Sequence, residues 1–157
     1  MIVVPDAGPL IYLGGAGKLD LLRLVFADVV VPRVVFEEVV LRGAGRPGAE
    51  SVAEAAWLRI EESSPDPVLA GMLDPGEAAA IPLAARLGAT ILVDDAKART
   101  VARARGLVVI GSLGVLLAAK RAGHIRAVVP TLARMQGLGM FVSLALWDEV
   151  LRLTAES

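Results

Sequence analysis

The stretches Ile2-Val3-Val4-Pro5-Asp6 and Thr90-Ile91-Leu92-Val93-Asp94-Asp95 decide the fold. Each is a short aliphatic run that stops abruptly on a carboxylate. Runs that are apolar throughout, without polar alternation, suit strands of a parallel sheet covered on both faces. Pro5 donates no hydrogen bond, so the first strand is expected over Ile2–Val4, ending at Pro5. Val29–Val31 and Val108–Ile110 repeat the pattern, and Trp57–Glu61 repeats it more weakly. Helical spacing fills the gaps, at 9–13, 19–26, 33–42, 48–56, 75–87, 96–105, 113–122, 126–136 and 144–154. Strands alternating with helices predict an α/β fold with a mainly parallel sheet and right-handed crossovers.

Composition bounds what such a fold can do. The 157 residues fit one domain, 1–157, large enough for a core without staples. Hydrophobic residues make up 55% and aromatics only 4%, so the core is aliphatic and the surplus points to a subunit interface, read as a homodimer. The absence of cysteine excludes disulfides and thiolate zinc sites, and the sole histidine, His124, excludes a multi-histidine centre. A net charge of −1 gives no global field to attract nucleic acid, so any such binding needs a local patch or a bound metal. No apolar run reaches membrane-spanning length and Asp6 interrupts the N-terminal one, so a cytoplasmic protein with no membrane partner is expected.

Against this background four acidic sites are out of place: Asp6, Glu38, Glu77 and the pair Asp94–Asp95. A lone buried carboxylate is costly, and several together repel unless a cation sits among them. Asp6 reads either as a helix N-cap or as a ligand at the carboxyl end of a strand, where open α/β sheets bind ligands. Glu38 falls between Val34, Val35 and Leu41 on the apolar face of its helix, whereas Glu37 lies nearer the edge of that face. Asp74-Pro75-Gly76-Glu77 matches a capping box, yet Glu77 shares its face with Ala80, Ile81 and Ala84, so it can cap and coordinate at once. Of Asp94 and Asp95, one can cap the helix that follows while the other points into the crevice. An oxygen-only ligand set fits Mg²⁺ or Mn²⁺.

Read in order, Asp6-Ala7-Gly8-Pro9-Leu10-Ile11, Pro32-Arg33-Val34-Val35-Phe36-Glu37-Glu38-Val39, Leu73-Asp74-Pro75-Gly76-Glu77-Ala78-Ala79-Ala80-Ile81, Leu92-Val93-Asp94-Asp95-Ala96-Lys97-Ala98-Arg99 and Gly111-Ser112-Leu113-Gly114 make the chain resemble a PIN-domain protein. The likeness is to the small prokaryotic predicted nucleases related to VapC toxins. The resemblance implies a three-layer α/β/α sandwich whose first strand is central, and Mg²⁺- or Mn²⁺-dependent cleavage of RNA. It gives Asp6, Glu38, Glu77 and Asp95 the catalytic metal-ligand roles, with Asp94 the nearest substitute for Asp95. It also implies RNA as substrate and, for a toxin, an antitoxin protein as partner. Two positions depart from the pattern: Gly8 stands where the family often has Ser or Thr, and Glu77 where Asp is common.

Lys97 and Arg99 lie nearest the expected crevice and are candidates for phosphate binding, as is Ser112 in the last motif. Gly43-Ala44-Gly45-Arg46-Pro47-Gly48 has the string of a dinucleotide fingerprint, but it follows a predicted helix, and Pro47 interrupts it. Two other readings stand beside the nuclease. One is a non-catalytic PIN-like module that binds RNA or a protein, supported by Gly8. The other is a phosphoacceptor or phosphatase-like α/β domain, which lacks an Asp-x-Asp nucleophile motif.

Overall fold

A computed structural model describes residues 1–157. Five strands form one parallel sheet: β1 Ile2–Pro5, β2 Asp28–Pro32, β3 Arg59–Glu61, β4 Thr90–Leu92 and β5 Val109–Ile110. Their order is β3-β2-β1-β4-β5, so β1 is central, as the resemblance implied. The strand expected at Trp57–Glu61 is shorter, and Pro5 stays within β1. Pro5 pairs in register with Leu92, and Asp6 N–H, one residue later, donates to the Leu92 carbonyl at 2.9 Å. Chain order reverses between β1 and β4. The crevice beyond their carboxyl ends is therefore the topological switch point of the sheet, where α/β folds bind ligands.

Ten helices complete the fold: α1 Ala7–Gly15, α2 Leu21–Val25, α3 Arg33–Glu37, α4 Ala49–Glu54, α5 Pro67–Ala70, α6 Pro75–Leu87, α7 Ala96–Ala104, α8 Ser112–Arg121, α9 Val129–Gly137 and α10 Leu144–Thr154. A π-helical turn, Glu38–Arg42, continues α3. Side chains that alternate along each strand enter opposite layers. Val3, Val29, Val31 and Leu92 join the larger core with residues of α1, α2, α8, α9 and α10. Val4, Val30, Ile91 and Val93 join the smaller core with Ala80, Ile81 and Leu83 of α6 and Ala98 of α7. These two layers around the sheet make the α/β/α sandwich.

Most expected helices appear with their ends moved by a few residues, while α5 was not expected. Asp66 caps α5, accepting from the N–H groups of Val68 and Leu69 at 2.8 and 3.2 Å. Ser143 caps α10 as its sequence predicted, accepting from Leu146 N–H at 3.0 Å. Val150 on α10 is buried, and Leu146 and Trp147 pack on the larger core, so that helix covers the sheet. Leu144 remains exposed. No helix is long and apolar enough to cross a membrane.

Candidate metal centre

Asp6 is the first residue past β1, and only 7% of it is exposed. It occupies the N-cap position of α1, but its carboxylate makes no capping bond. Its Oδ1 is buried with no hydrogen-bond partner. The simple capping reading of Asp6 therefore fails: a buried acceptor has been left without a protein donor, at a cost that calls for an explanation.

The neighbours of Asp6 are more carboxylates. Ligand oxygens of Asp6, Asp74 and Glu77 all lie within 4.8 Å of one another. The capping box is present: Glu77 N–H donates to Asp74 Oδ1 at 2.8 Å, and Asp74 N–H donates to Glu77 Oε1 at 3.2 Å. Each of these two acids uses one oxygen to start α6. The box thereby locks their side chains against the end of β1, and capping and clustering coexist as the sequence allowed. Gly76 makes the approach possible. A Cβ there would sit 2.9 Å from Asp6 Oδ1 and 3.2 Å from Val35 Cγ2, so any side chain would press on Asp6, with Glu38 Oε1 just beyond at 3.4 Å.

The same arrangement raises the acids' proton affinity. Burial is the main cause of an Asp6 pKa pushed up to about 8; the Ala7 N–H lowers it somewhat, and Asp74, Glu77 and Glu38 raise it further. Glu77 is raised to about 7, first by burial and then by Asp74, with smaller contributions from Asp95 and Glu38. Glu38, half-buried, is raised by burial and by Asp74, while Arg42 pulls it down.

All five expected acids, Asp6, Glu38, Glu77, Asp94 and Asp95, line one cleft of about 980 Å³. Only Asp6 and Glu77 belong to the tight group. Its third member is Asp74, which the sequence presents only as a helix cap. The pair at the end of β4 divides its work. Asp95 caps α7, its Oδ2 accepting from Ala98 N–H at 2.9 Å. Asp94 is held by Ser112, whose N–H donates to Oδ1 at 2.7 Å and whose hydroxyl donates to Oδ2 at 2.6 Å.

Two substrate-binding expectations need correction. Ser112 is fully buried and spends its donors on Asp94, so it positions an acid and offers no substrate contact. Lys97 is exposed and lies outside the cleft lining, because Ala96 and Arg99, three residues apart on α7, turn toward the cleft instead. Arg99 does line the cleft. The remaining wall is apolar, with Ile110, Leu113, Met140 and an 85% exposed Phe141 among its residues.

Hard divalent cations take oxygen ligands and satisfy deprotonated, crowded carboxylates. The donor set here is oxygen only, one buried oxygen has no partner, and glycine rather than a side chain faces it, so the residues fit such an ion. Among solved structures, one similar chain is a domain of a functionally unknown protein from Methanocaldococcus jannaschii DSM 2661. It is 19% identical, has a TM-score of 0.48, and the match covers 70% of this chain and 89% of that one. No curated protein matches the chain. The family profile described as PIN domain matches residues 2–156, nearly the whole length, and the chain is a member of the PIN-domain family.

Proposed function

We propose that the protein is a divalent-metal-dependent endoribonuclease using Mg²⁺ or Mn²⁺. The observation that carries this reading is Asp6, whose buried Oδ1 has no partner and whose carboxylate clusters with those of Asp74 and Glu77. Asp6, Asp74 and Glu77 would hold the ion, and Glu38, Asp94 and Asp95 line the same cleft with further negative charge. A bound ion would supply a more acidic water and charge neutralisation at the scissile phosphate.

The chain's own residues supply the rest. The capping box fixes Asp74 and Glu77, and Ser112 fixes Asp94, so the anionic wall is held before substrate arrives. In hydrolysis the water oxygen bonds to phosphorus and the phosphorus–oxygen bond to the leaving ribose breaks. The water's proton needs an acceptor, and the leaving oxygen gains a proton. Glu38 lines the cleft outside the tight group, and burial raises its affinity for a proton; it is our candidate for the acceptor.

Purified wild type incubated with single-stranded RNA and Mn²⁺ should cut it, and neither chelator-treated wild type nor Asp6→Asn should. Cleavage that survives both treatments would overturn the reading. Failure to cut any of several RNAs, with metal binding intact, would favour the non-catalytic RNA- or protein-binding module. Gly8 is the observation behind that second reading, because it brings no hydroxyl to the cleft. A toxin role with an antitoxin partner, and pairing of two copies, extend the proposal. Exposed Phe141 and Leu144 support such contacts, and light scattering alone and with a co-expressed partner tests them.

A further inference from the structure

Arg99 presents an anomaly in a cleft dominated by acids. Half-buried on α7, it lines the cleft, yet it forms none of the chain's ion pairs. Its Nη1 donates to the Val93 carbonyl at 3.0 Å, and its other N–H groups have no acceptor in the protein. A guanidinium carries five donors, so most of its capacity is unspent. Asp94 is the neighbouring acid that could have neutralised it. No ion pair joins the two, and Ser112 donates to both Asp94 oxygens, at 2.7 and 2.6 Å.

The space for Arg99 is also kept open. A Cβ on Gly111 would sit 2.6 Å from Arg99 Nη1 and 3.1 Å from Asp94 Oδ1. Gly111 and Ser112 are consecutive. The first leaves room for the guanidinium beside Asp94, and the second hydrogen-bonds both oxygens of that acid. Thus one junction, between β5 and α8, keeps a fixed positive charge unpaired beside the acids. A planar, multiply donating cation in that state matches a phosphate group.

We infer that Arg99 is a phosphate anchor that grips the RNA backbone next to the scissile position, kept free for that role by Gly111 and Ser112. This rests on the reading of the cleft as the RNA site. It makes Arg99 a substrate-binding residue whose contact is indifferent to base sequence.

The test measures binding of a labelled single-stranded RNA by fluorescence anisotropy across a salt series, with Ca²⁺ in place of Mn²⁺ and again with chelator. Manganese calorimetry and thermal melting are run on the same proteins. Arg99→Gln should bind RNA about tenfold more weakly or worse. The slope of log affinity against log salt should shrink by about 0.7, the value for one lost single-strand phosphate contact. Arg99→Lys should recover part of the loss. Gly111→Ala should weaken binding by a smaller factor without changing any charge, by shifting the end of the guanidinium.

If Arg99→Gln lowers the melting temperature but keeps wild-type affinity and salt slope, Arg99 only caps the end of β4 and the proposal is overturned. If wild type takes up no Mn²⁺ while Arg99→Gln still weakens RNA binding in chelator, the metal reading fails and the anchor stands. Wild type that binds no RNA under either condition overturns the anchor, and Mn²⁺ heats then decide the metal site separately.

Discussion

Asp6 and Glu156 are both carboxylates that folding withdraws from water, and they end with opposite acidities. Glu156 follows α10, and its side chain is 14% exposed. Lys120 Nζ donates to it at 2.8 Å, and the N–H groups of Val128 and Val129 donate at 2.9 Å each, one to each oxygen. Burial alone would raise its pKa; Lys120 and the two N–H groups hold it at about 2. Asp6 is buried as well, but its neighbours are acids, one oxygen has no donor, and its pKa rises to about 8. Burial is common to both, so partners decide. Glu156 is a structural acid that ties the end of the chain to α8 and the start of α9, whereas Asp6 is left uncompensated by its protein neighbours, the pattern of a functional group.

The comparison breaks most sharply under neutralisation. Asp6→Asn should lower Mn²⁺-dependent cleavage by about 10³-fold, since an amide cannot replace an anionic ligand worth several kcal/mol. It should leave metal-free stability equal or about 1 kcal/mol higher, because a neutral amide avoids the cost of burying or protonating the carboxylate. Glu156→Gln should do the reverse. It should cost about 2–3 kcal/mol by weakening charge-assisted bonds and leaving Lys120 only the Thr154 carbonyl, with cleavage unchanged below the melting transition. Urea unfolding and the RNA assay on both variants check the pair. Two losses of the same kind would erase the distinction.

Acidity then separates the two sites along the pH axis. The Asp6 and Glu77 pKa values lie above those of the unfolded chain. Their contribution is complete below about pH 4 and is lost as pH rises toward about 8. Glu156 lies below its unfolded value, so its contribution is present above about pH 4.5 and is lost as pH falls toward about 2. Metal-free protein should therefore lose stability between about pH 5 and 8, by a few kcal/mol. Saturating Mn²⁺ should flatten or invert that slope. Thermal melts across this range, with and without the ion, provide the check.

A smaller effect is expected at the glycine beside the cluster. Gly76→Ala would put a methyl 2.9 Å from Asp6 Oδ1, and the displaced carboxylate should bind Mn²⁺ about tenfold more weakly, or about 1.4 kcal/mol. Unchanged affinity would mean the cluster is loose. Smallest of all is Gly8→Ser. An added Cβ meets only Tyr12 Cε2, at 3.6 Å, so stability should stay within about 0.5 kcal/mol. Cleavage should hold or rise modestly as a hydroxyl joins the cleft, and a tenfold fall would show that open space at this position matters.

What could be read in advance was what lies on one strand or one helix. Asp6 and Asp94–Asp95 stood out because an aliphatic strand run ends on them, and Glu38 because it interrupts an apolar helical face. That the strands carrying Asp6 and Asp94 are neighbours is a matter of strand order, which the family resemblance supplied for the central strand. Asp74 was legible only as a cap, because the distance from its carboxylate to Asp6 depends on how α6 meets β1. The π-helical turn after Glu37 leaves no period in a five-residue stretch. Ser112 looked like a substrate contact until the junction after β5 placed it against Asp94, eighteen residues away. Glu156 carried no local signal at all: its partners sit on two other elements that only the folded chain assembles.

Whether Asp6, Asp74 and Glu77 form a site completed by a divalent ion is tested most directly by calorimetric titration of metal-free protein with Mn²⁺ near pH 7 in buffers of different ionisation enthalpy. Because Asp6 and Glu77 carry raised pKa values of about 8 and about 7, binding should displace protons. The apparent heat should vary with buffer by an amount equivalent to about one proton released per ion. Asp6→Asn should lose both the binding heat and the buffer dependence. Wild type that gives no binding heat, or a heat independent of buffer and unaltered by Asp6→Asn, would contradict the account.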